Sequence, residues 1–298
     1  MERLKKNLLF VINPIAGGRE KRHVHRIIER ELDHSLFDHE FAYTESVDHA
    51  RKLSRSAAYL GFDVVAAVGG DGTVNEVARG ILERAQEHEA VMSIVPFGSG
   101  NGLARYLGIP MGTGPAIRLI NQLRTTRIDT AVMNGSPFFC VAGAGFDAHI
   151  SLEFARDRKR GFLGYVKAAL REIYAYRPAE YSIRVDNQSL RERAFLVSIA
   201  NSSQYGNNAF ISPGASASDG LLDVCVLKPF PLYRYPEIAF RLLNRSIHHS
   251  SYMRILRGRE ILIERGQEGP VHLDGEPQQM SNVLDIRVIP SSLSVVVP

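Results

Sequence analysis

The sequence predicts an α/β domain with a parallel sheet, followed by a mostly antiparallel β domain. Three observations carry this. Apolar runs alternate with amphipathic helical segments through the first part of the chain. Glycine-rich loops directly follow three of those runs. Past Met133 the pattern breaks into short strands separated by turn residues. A chain of 298 residues has room for two cores. The α/β domain is placed over 1–132 and the β-rich domain over 133–290. The tail 291–298, "SLSVVVP" with its preceding serine, could return to the first domain.

Each element has its own justification. "NLLFVI" (7–12) is continuously apolar, as expected of a strand covered on both faces. In "REKRHVHRIIEREL", Val24, Ile27, Ile28 and Leu32 recur at helical spacing. "FDHEFAYT" (37–44) alternates weakly and reads as a strand. "SVDHARKLSRSAAYL" puts Val47, Ala50, Leu53, Ala57 and Leu60 on one helical face. "DVVAAV" is a third strand ending at Val68. A helix from 74 to about 88 follows, with Thr73 and Glu76 fitting a capping box. "MSIVPF" is a fourth strand. A short helix over 103–107 and a longer one at "GPAIRLINQL" complete the first domain. Beyond it, "YSIRVD", "AFLVSIAN", "LLDVCVLK", "MRILRGREILIE", "PVHLDGE" and "VLDIRVI" read as strands. The helices "GYVKAALREIYAY" and "YPEIAFRLLN" interrupt them; in the former, Val166, Leu170, Ile173 and Tyr174 form a core-type face.

Composition narrows the class. Apolar residues make up 45% of the chain, enough for sizeable cores. The two cysteines, Cys140 and Cys225, lie in apolar runs and read as buried thiols, so no disulfide framework is implied. The N-terminal apolar run meets Pro14 too early for a membrane span and lacks a small-residue cleavage site. No other segment reaches about 18 uncharged apolar residues. A soluble, cytoplasmic protein is expected. The net charge of +4 suits anionic nucleotides or an anionic membrane surface. No aromatic-basic stripe points to nucleic acid.

The chemistry concentrates in the loops. "VGGDGTVNEVARGI" (68–81) sits where a parallel strand becomes a helix, the edge at which open α/β sheets bind ligands. Glycines let backbone N–H groups approach a phosphate, and a helix N-terminus favours an anion. Asp71 would repel that anion unless a divalent cation or a transferable proton is present. A glycine turn with an Asp cap is the plainer alternative. "NPIAGG" (13–18) and "PFGSGNG" (96–102) follow two further strands at the same edge, with Asn13, Ser99 and Asn101 as side-chain donors and acceptors. Neither a Walker P-loop nor a G-x-G-x-x-G after the first strand is present.

These segments, with "SPGASASDGLLDV" and "HLDGEP", resemble the diacylglycerol kinase catalytic family, which includes bacterial lipid kinases and sphingosine and ceramide kinases. They occur in the family's order and span nearly the whole chain. The resemblance implies ATP-dependent phosphorylation of a lipid hydroxyl, diacylglycerol or a sphingoid-type lipid, in a cleft between the domains. It implies ATP contacts at Asn13, Pro14, Ile15, Ala16, Gly17, Thr44, Gly69, Gly70, Asp71, Gly72, Thr73, Val74, Asn75, Ser99 and Asn101. Asp71 would lie near the phosphates and Mg²⁺, and Glu276 would take the lipid proton. A structural Mg²⁺ would use the Asp219 carboxylate and backbone oxygens of Ser216 and Leu221. One departure stands out. Many bacterial diacylglycerol kinases read G-T-x-N-D at the third loop, with the aspartate tied to the metal network, whereas Gly102 occupies that place here. Sphingosine kinases are closer to this version.

A lipid substrate implies a membrane-facing surface and peripheral membrane association. "FARDRKRGFLGY" mixes Arg156, Arg158, Lys159 and Arg160 with Phe162, Leu163 and Tyr165 and could serve for docking; a solvated loop is the alternative. A homodimer stays open. Two competing functions are an NAD kinase or phosphofructokinase-like enzyme, which also use GGDG, and an inactive nucleotide-binding regulator. The retention of Asp71 and Glu276 argues against the regulator.

Overall fold

The computed structural model describes residues 5–16, 24–83, 89–156 and 169–298, with only the backbone of 154–156. The chain forms two compact units. One is Met1–Ile128 together with Ser291–Pro298, and the other is Asp129–Pro290.

In the first unit the elements are β1 (Lys6–Ile12), α1 (Val24–Glu31), β2 (Phe37–Tyr43), α2 (His49–Tyr59), β3 (Val64–Gly69), α3 (Asp71–Leu82), β4 (Val91–Pro96), α4 (Gly102–Tyr106) and α5 (Thr113–Gln122). The strand order is β2-β1-β3-β4, and every pair is parallel. Alternate strand residues Leu8, Phe10, Ile12, Val64, Ala66 and Val68 pack with Val24 and Ile28 of α1 and Ile117 and Ile120 of α5. All six residues of β3 are buried, which is why it reads as an unbroken apolar run.

Two helical readings need correction. Val47 and Leu60 lie outside α2 and are exposed. The helix buries Ala50, Ser54, Ala57 and Ala58 instead. Small side chains serve there because α2 runs against Gly80 of α3, where a Cβ would collide with the Ser54 hydroxyl and the Arg51 carbonyl. The second correction concerns α3, which begins at Asp71 with Gly70 as its N-cap. Thr73 is therefore a third helical residue and makes no capping box. Glu76 caps the neighbouring helix: its carboxylate accepts the N–H groups of Asp48 (2.9 Å) and Ala50 (3.0 Å) at the start of α2.

β5 (Thr125–Met133) leads into the second unit and contains both Ile128 and the expected boundary residue Met133. There follow β6 (Ser136–Phe138), β7 (Val141–Gly145), α6 (Phe146–Arg156), β8 (Ala179–Val185), β9 (Gln188–Ala194), β10 (Leu196–Ala200), β11 (Leu222–Leu227), α7 (Tyr235–Leu243), β12 (Met253–Gly258), β13 (Glu260–Arg265), β14 (Gly269–Leu273), β15 (Glu276–Met280) and β16 (Val283–Val296). One antiparallel sheet has the order β12-β11-β10-β7-β14-β15. A second antiparallel set runs β16-β13-β8-β9. Their inward residues meet in one core: Ala142, Val197 and Val224 from the first, Ile183, Ile261 and Ile286 from the second. The end of β16 enters the first unit, where Val295 pairs in parallel with Met92 of β4.

The structure adds β5, β6, β7, α6, β9 and β15 to the expected elements. In the segment "GYVKAALREIYAY", Ala169 and Ile173 are buried but Leu170 and Tyr174 are exposed, so the expected core face is narrower; Val166 lies outside the described residues. Both cysteines are buried and free. Burial pushes the Cys225 thiol far above its ordinary range, which leaves it inert.

Candidate functional site

The parallel sheet brings the carboxyl ends of β1, β2, β3 and β4 to one edge, so the loops after them are neighbours. Thr44 N–H donates to the Ile12 carbonyl (2.9 Å) and Asn13 N–H to the Val68 carbonyl (3.0 Å). Phe97 N–H donates to the Gly69 carbonyl (2.7 Å). The Asn13 amide reaches Thr73 Oγ1 at 3.2 Å, and its own oxygen accepts the Ile15 N–H at 3.1 Å. Asn13, Pro14, Ile15 and Ala16 thus form a short turned loop beside the first turn of α3. Gly69, Gly70, Gly72, Thr73, Val74 and Asn75 span the β3–α3 junction. Ser99 is exposed and Asn101 buried in the loop after β4. Gly17 lies outside the described residues.

The glycines answer to backbone packing. The loops after β3 and β4 touch main chain to main chain: a Cβ on Gly98 would lie 2.7 Å from the Gly70 Cα, and one on Gly70 would lie 3.1 Å from the Gly98 Cα. Only residues lacking a side chain allow that approach. Asp71 then fastens the contact. Its Oδ2 accepts the N–H of Asn101 (2.8 Å) and its Oδ1 the N–H of Gly102 (2.7 Å). These are the N-cap residue and the first helical residue of α4. The carboxylate of one helix therefore caps the next, as in the Asp-cap alternative, but across thirty residues of sequence. Gly102 contributes through its N–H; Asn101 sits in the left-handed region (φ 50°), and its side chain closes a ring of two hydrogen bonds with Gly98.

Glu276, Ser216, Asp219 and Leu221 belong to the second unit. Glu276 opens β15 and is exposed. It follows a two-residue hairpin turn, Asp274-Gly275, with both φ positive (52° and 86°) between the paired residues Leu273 and Glu276. Asp-Gly is the sequence signature of that turn. The Asp274 carboxylate turns inward and accepts three N–H groups, from Phe139 (2.8 Å), Cys140 (2.7 Å) and Val141 (3.0 Å). Burial pushes its carboxyl upward, against the opposing pull of those three donors.

Beneath the turn lies a buried polar network that the sequence did not reveal. Asp147 Oδ2 meets His272 Nε2 (3.1 Å), Ser198 Oγ (2.8 Å) and Tyr205 OH (3.1 Å), while Oδ1 accepts the Ala148 N–H (2.8 Å). The Gly275 N–H donates to His272 Nδ1 (3.3 Å), which places the ring proton on Nε2 facing Asp147. A Cβ at Gly143 would lie 2.7 Å from His272 Nε2, so that glycine makes room for the pair. The alternation of "PVHLDGE", which puts His272 on one face with a buried strand around it, was the available signal.

At the expected metal site, the Asp219 carboxylate is engaged by protein partners. Asp219 Oδ2 is ion-paired with Arg257, and Oδ1 accepts the Leu221 N–H at 3.1 Å. The Ser216 hydroxyl shares a hydrogen bond with Ser218. An arginine on the carboxylate supplies the countercharge an ion would otherwise provide. Among the described residues, no three His, Cys, Asp or Glu side chains are grouped to hold a metal. The basic run Arg158, Lys159, Arg160, Phe162, Leu163 and Tyr165, and the side chain of Arg156, lie outside the described residues. No described helix is long and apolar enough to cross a membrane.

Residues 7–133 match the diacylglycerol kinase catalytic domain, and residues 140–297 match the YegS C-terminal NAD kinase beta sandwich-like domain. One match to each unit defines the class of two-domain diacylglycerol kinase-like proteins. The chain belongs to the diacylglycerol kinase-like lipid kinase family, in the branch carrying a YegS-type C-terminal domain. Among its relatives is a "Probable lipid kinase YegS-like" protein of Chromohalobacter salexigens, 28% identical over 228 residues, covering 76% of this chain and 73% of that protein. Another is the diacylglycerol kinase of Bacillus subtilis, 25% identical over 277 residues, covering 91% of this chain and 90% of that one. A diacylglycerol kinase crystal structure from Bacillus anthracis shares the fold, with a TM-score of 0.77 at 22% identity, covering 99% of this chain and 97% of that one.

Proposed function

We propose that the chain transfers the γ-phosphoryl group of ATP to the hydroxyl of a lipid, either diacylglycerol or a sphingoid-type lipid. The observation that carries this reading is the welding of three strand-end loops by Asp71, Gly70 against Gly98, and the Asn13–Thr73 contact. Phosphoryl transfer is mostly positioning and charge stabilisation, and a rigid, amide-rich edge supplies positioning. In this reading the loops at 13–17, 69–75 and 98–101, with Thr44, hold the triphosphate. The first turn of α3 offers N–H groups that have no partner within the helix, together with its positive dipole end.

Mg²⁺ would arrive on the phosphates and neutralise the charge that develops there. Asp71, whose two oxygens each already accept an amide, serves chiefly to hold the loops. Glu276, exposed at the hairpin tip, is the group that accepts the lipid hydroxyl proton. As the lipid oxygen bonds to the γ-phosphorus, the bond from that phosphorus to the departing ADP oxygen breaks. A well-placed base is worth roughly 10²–10⁴-fold in rate. The substrate calls for work at a membrane surface, from the cytoplasmic side.

A small-molecule kinase is the second reading, favoured by the NAD kinase-like description of the matched C-terminal domain. One experiment separates them. Radiolabelled ATP and Mg²⁺ are incubated with a lipid extract, NAD and fructose 6-phosphate, using the wild type and Glu276→Gln. Label in an organic-soluble product is expected, with turnover in the variant about 10²-fold or more lower and ATP affinity retained. Label in NAD or the sugar phosphate alone, or in no product, overturns the lipid assignment. Collapse of ATP affinity in Glu276→Gln would remove Glu276 from the proton step.

A further inference from the structure

The segment leading into and forming α7 carries two apolar stripes, one more than a surface helix needs. Tyr235, Ile238 and Leu242, three and four residues apart, form the inward one, with Ile238 buried. The Leu242 carbonyl accepts the Phe210 N–H at 2.8 Å, which ties the helix down. The second stripe points to solvent. Tyr233, Pro236, Phe240 and Leu243 follow the same spacing on the opposite side, and Leu232 precedes them in a short 3₁₀ turn. Tyr233 is 75% exposed, Phe240 64%, Leu243 50% and Leu232 48%. Isolated exposed apolar residues are ordinary, but four large ones within the twelve residues of a 3₁₀ turn and the helix it leads into form a patch suited to a partner surface.

The charges beside the patch say what covers it. Between the two stripes runs a third, made of Arg234, Glu237, Arg241 and, just past the helix, Arg245. Glu237 is the one carboxylate from 231 to 250. It is shared by Arg234 (2.7 Å) and Arg241 (2.9 Å). Arg245 makes no ion pair among the described residues; its guanidinium carbon lies 4.2 Å over the Phe210 ring. The rim is therefore cationic. Two aromatic residues and two leucines flanked by arginines match the requirements of the headgroup region of an anionic bilayer. A self-complementary contact would need acidic residues facing these arginines, and the segment's single acid is already taken.

We propose that Leu232–Leu243 is a docking surface for an anionic lipid bilayer. Its apolar stripe enters the headgroup–acyl boundary and its arginines face the lipid phosphates. This deepens the lipid-kinase reading and rests on it only for the purpose of docking, because membrane binding can be measured without turnover.

The test is cosedimentation of the full chain with vesicles of phosphatidylcholine, with and without phosphatidylglycerol. The proteins compared are the wild type, Phe240→Ser/Leu243→Ser and Arg234→Gln/Arg241→Gln/Arg245→Gln. These side chains are surface groups, and matching thermal unfolding curves verify folding. The wild type is expected to partition into phosphatidylglycerol vesicles and to lose much of that binding in 1 M salt (Debye length about 3 Å). The apolar variant is expected to partition at least about tenfold less. The arginine variant should lose the preference for phosphatidylglycerol. Equal partitioning of both variants and wild type overturns the proposal. So does a wild-type dimer that Phe240→Ser/Leu243→Ser converts to monomers with no change in vesicle binding, since the stripe would then belong to a second copy. Label transfer to a short-chain lipid dispersed below its micelle concentration reports on the kinase reading separately, and both variants should keep it. Loss of that transfer in the wild type would sink the kinase reading while leaving the vesicle result intact.

Discussion

Asp71 occupies the first position of α3, yet its carboxylate acts on the next loop. Both oxygens accept amides that begin α4, so the charge completes a helix N-terminus it does not belong to. This changes what a substitution tests. Asn has the same shape, but its NH₂ would face a backbone N–H, leaving one amide without an acceptor. Asp71→Asn is expected to cost about 1–3 kcal/mol, read as a fall in the urea midpoint, and to weaken binding of a fluorescent ATP analogue at the same time. Lost turnover with an unchanged midpoint and unchanged nucleotide binding would mean that the carboxylate acts on substrate and not on the loop. The sequence showed that this residue was special, because a carboxylate among glycines at a strand end has few plain explanations. It could not show which of two roles applies. The contacts that favour the loop-holding role, the Asn101 and Gly102 amides at 2.8 and 2.7 Å, depend on how two distant loops pack.

At the scale of elements, the hairpin joining β14 and β15 shows the same division. Asp-Gly after an alternating strand announces its turn, and Glu276 at the tip follows from the motif. The inward half does not follow. Asp274 serves as acceptor for three amides of the 139–141 segment, and His272 holds the Gly275 N–H while pairing with Asp147. Apart from Gly275, these partners are more than a hundred residues away in sequence, so no local pattern encodes them. Asp274→Ala should remove the acceptor of three amides and put a β-carbon residue with no local hydrogen bond in the left-handed region. A loss of about 2–4 kcal/mol in urea unfolding is expected. Asp274→Asn, which tolerates the turn and keeps one acceptor oxygen, should lose clearly less. Equal losses would show that the amide contacts of the charged carboxylate, and not the turn conformation, set stability there. The misread face of α2 has a related cause: Ser54, Ala58 and Gly80 pack by smallness, which hydrophobic periodicity does not register.

At the scale of the whole molecule, the two units are not consecutive in sequence. The chain leaves the first unit along β5 and returns along β16, and each of these strands contributes residues to both units. The first unit therefore contains residues from both ends of the chain. Leu293, Val295 and Val296 are almost fully buried there, and Val295 extends the parallel sheet beside Met92. The Ser294 hydroxyl donates to Glu89 (2.7 Å), and the Val297 N–H to the Arg124 carbonyl (2.9 Å). Burying three such side chains is worth roughly 1.5–3 kcal/mol each, a sum comparable to the 5–15 kcal/mol that typically stabilises a domain. Truncation after Pro290 is thus expected to unfold the first unit, which holds the three glycine-rich loops proposed to bind ATP, although the cut lies far from those loops in sequence. Calorimetry should show the first unit's transition lost or lowered by tens of degrees, with the second unit's transition retained. Hydrogen exchange should lose protection in β1, β3 and β4 before β10 and β11. A truncated chain that keeps protection in β4 would show that the four parallel strands stand without the returning segment.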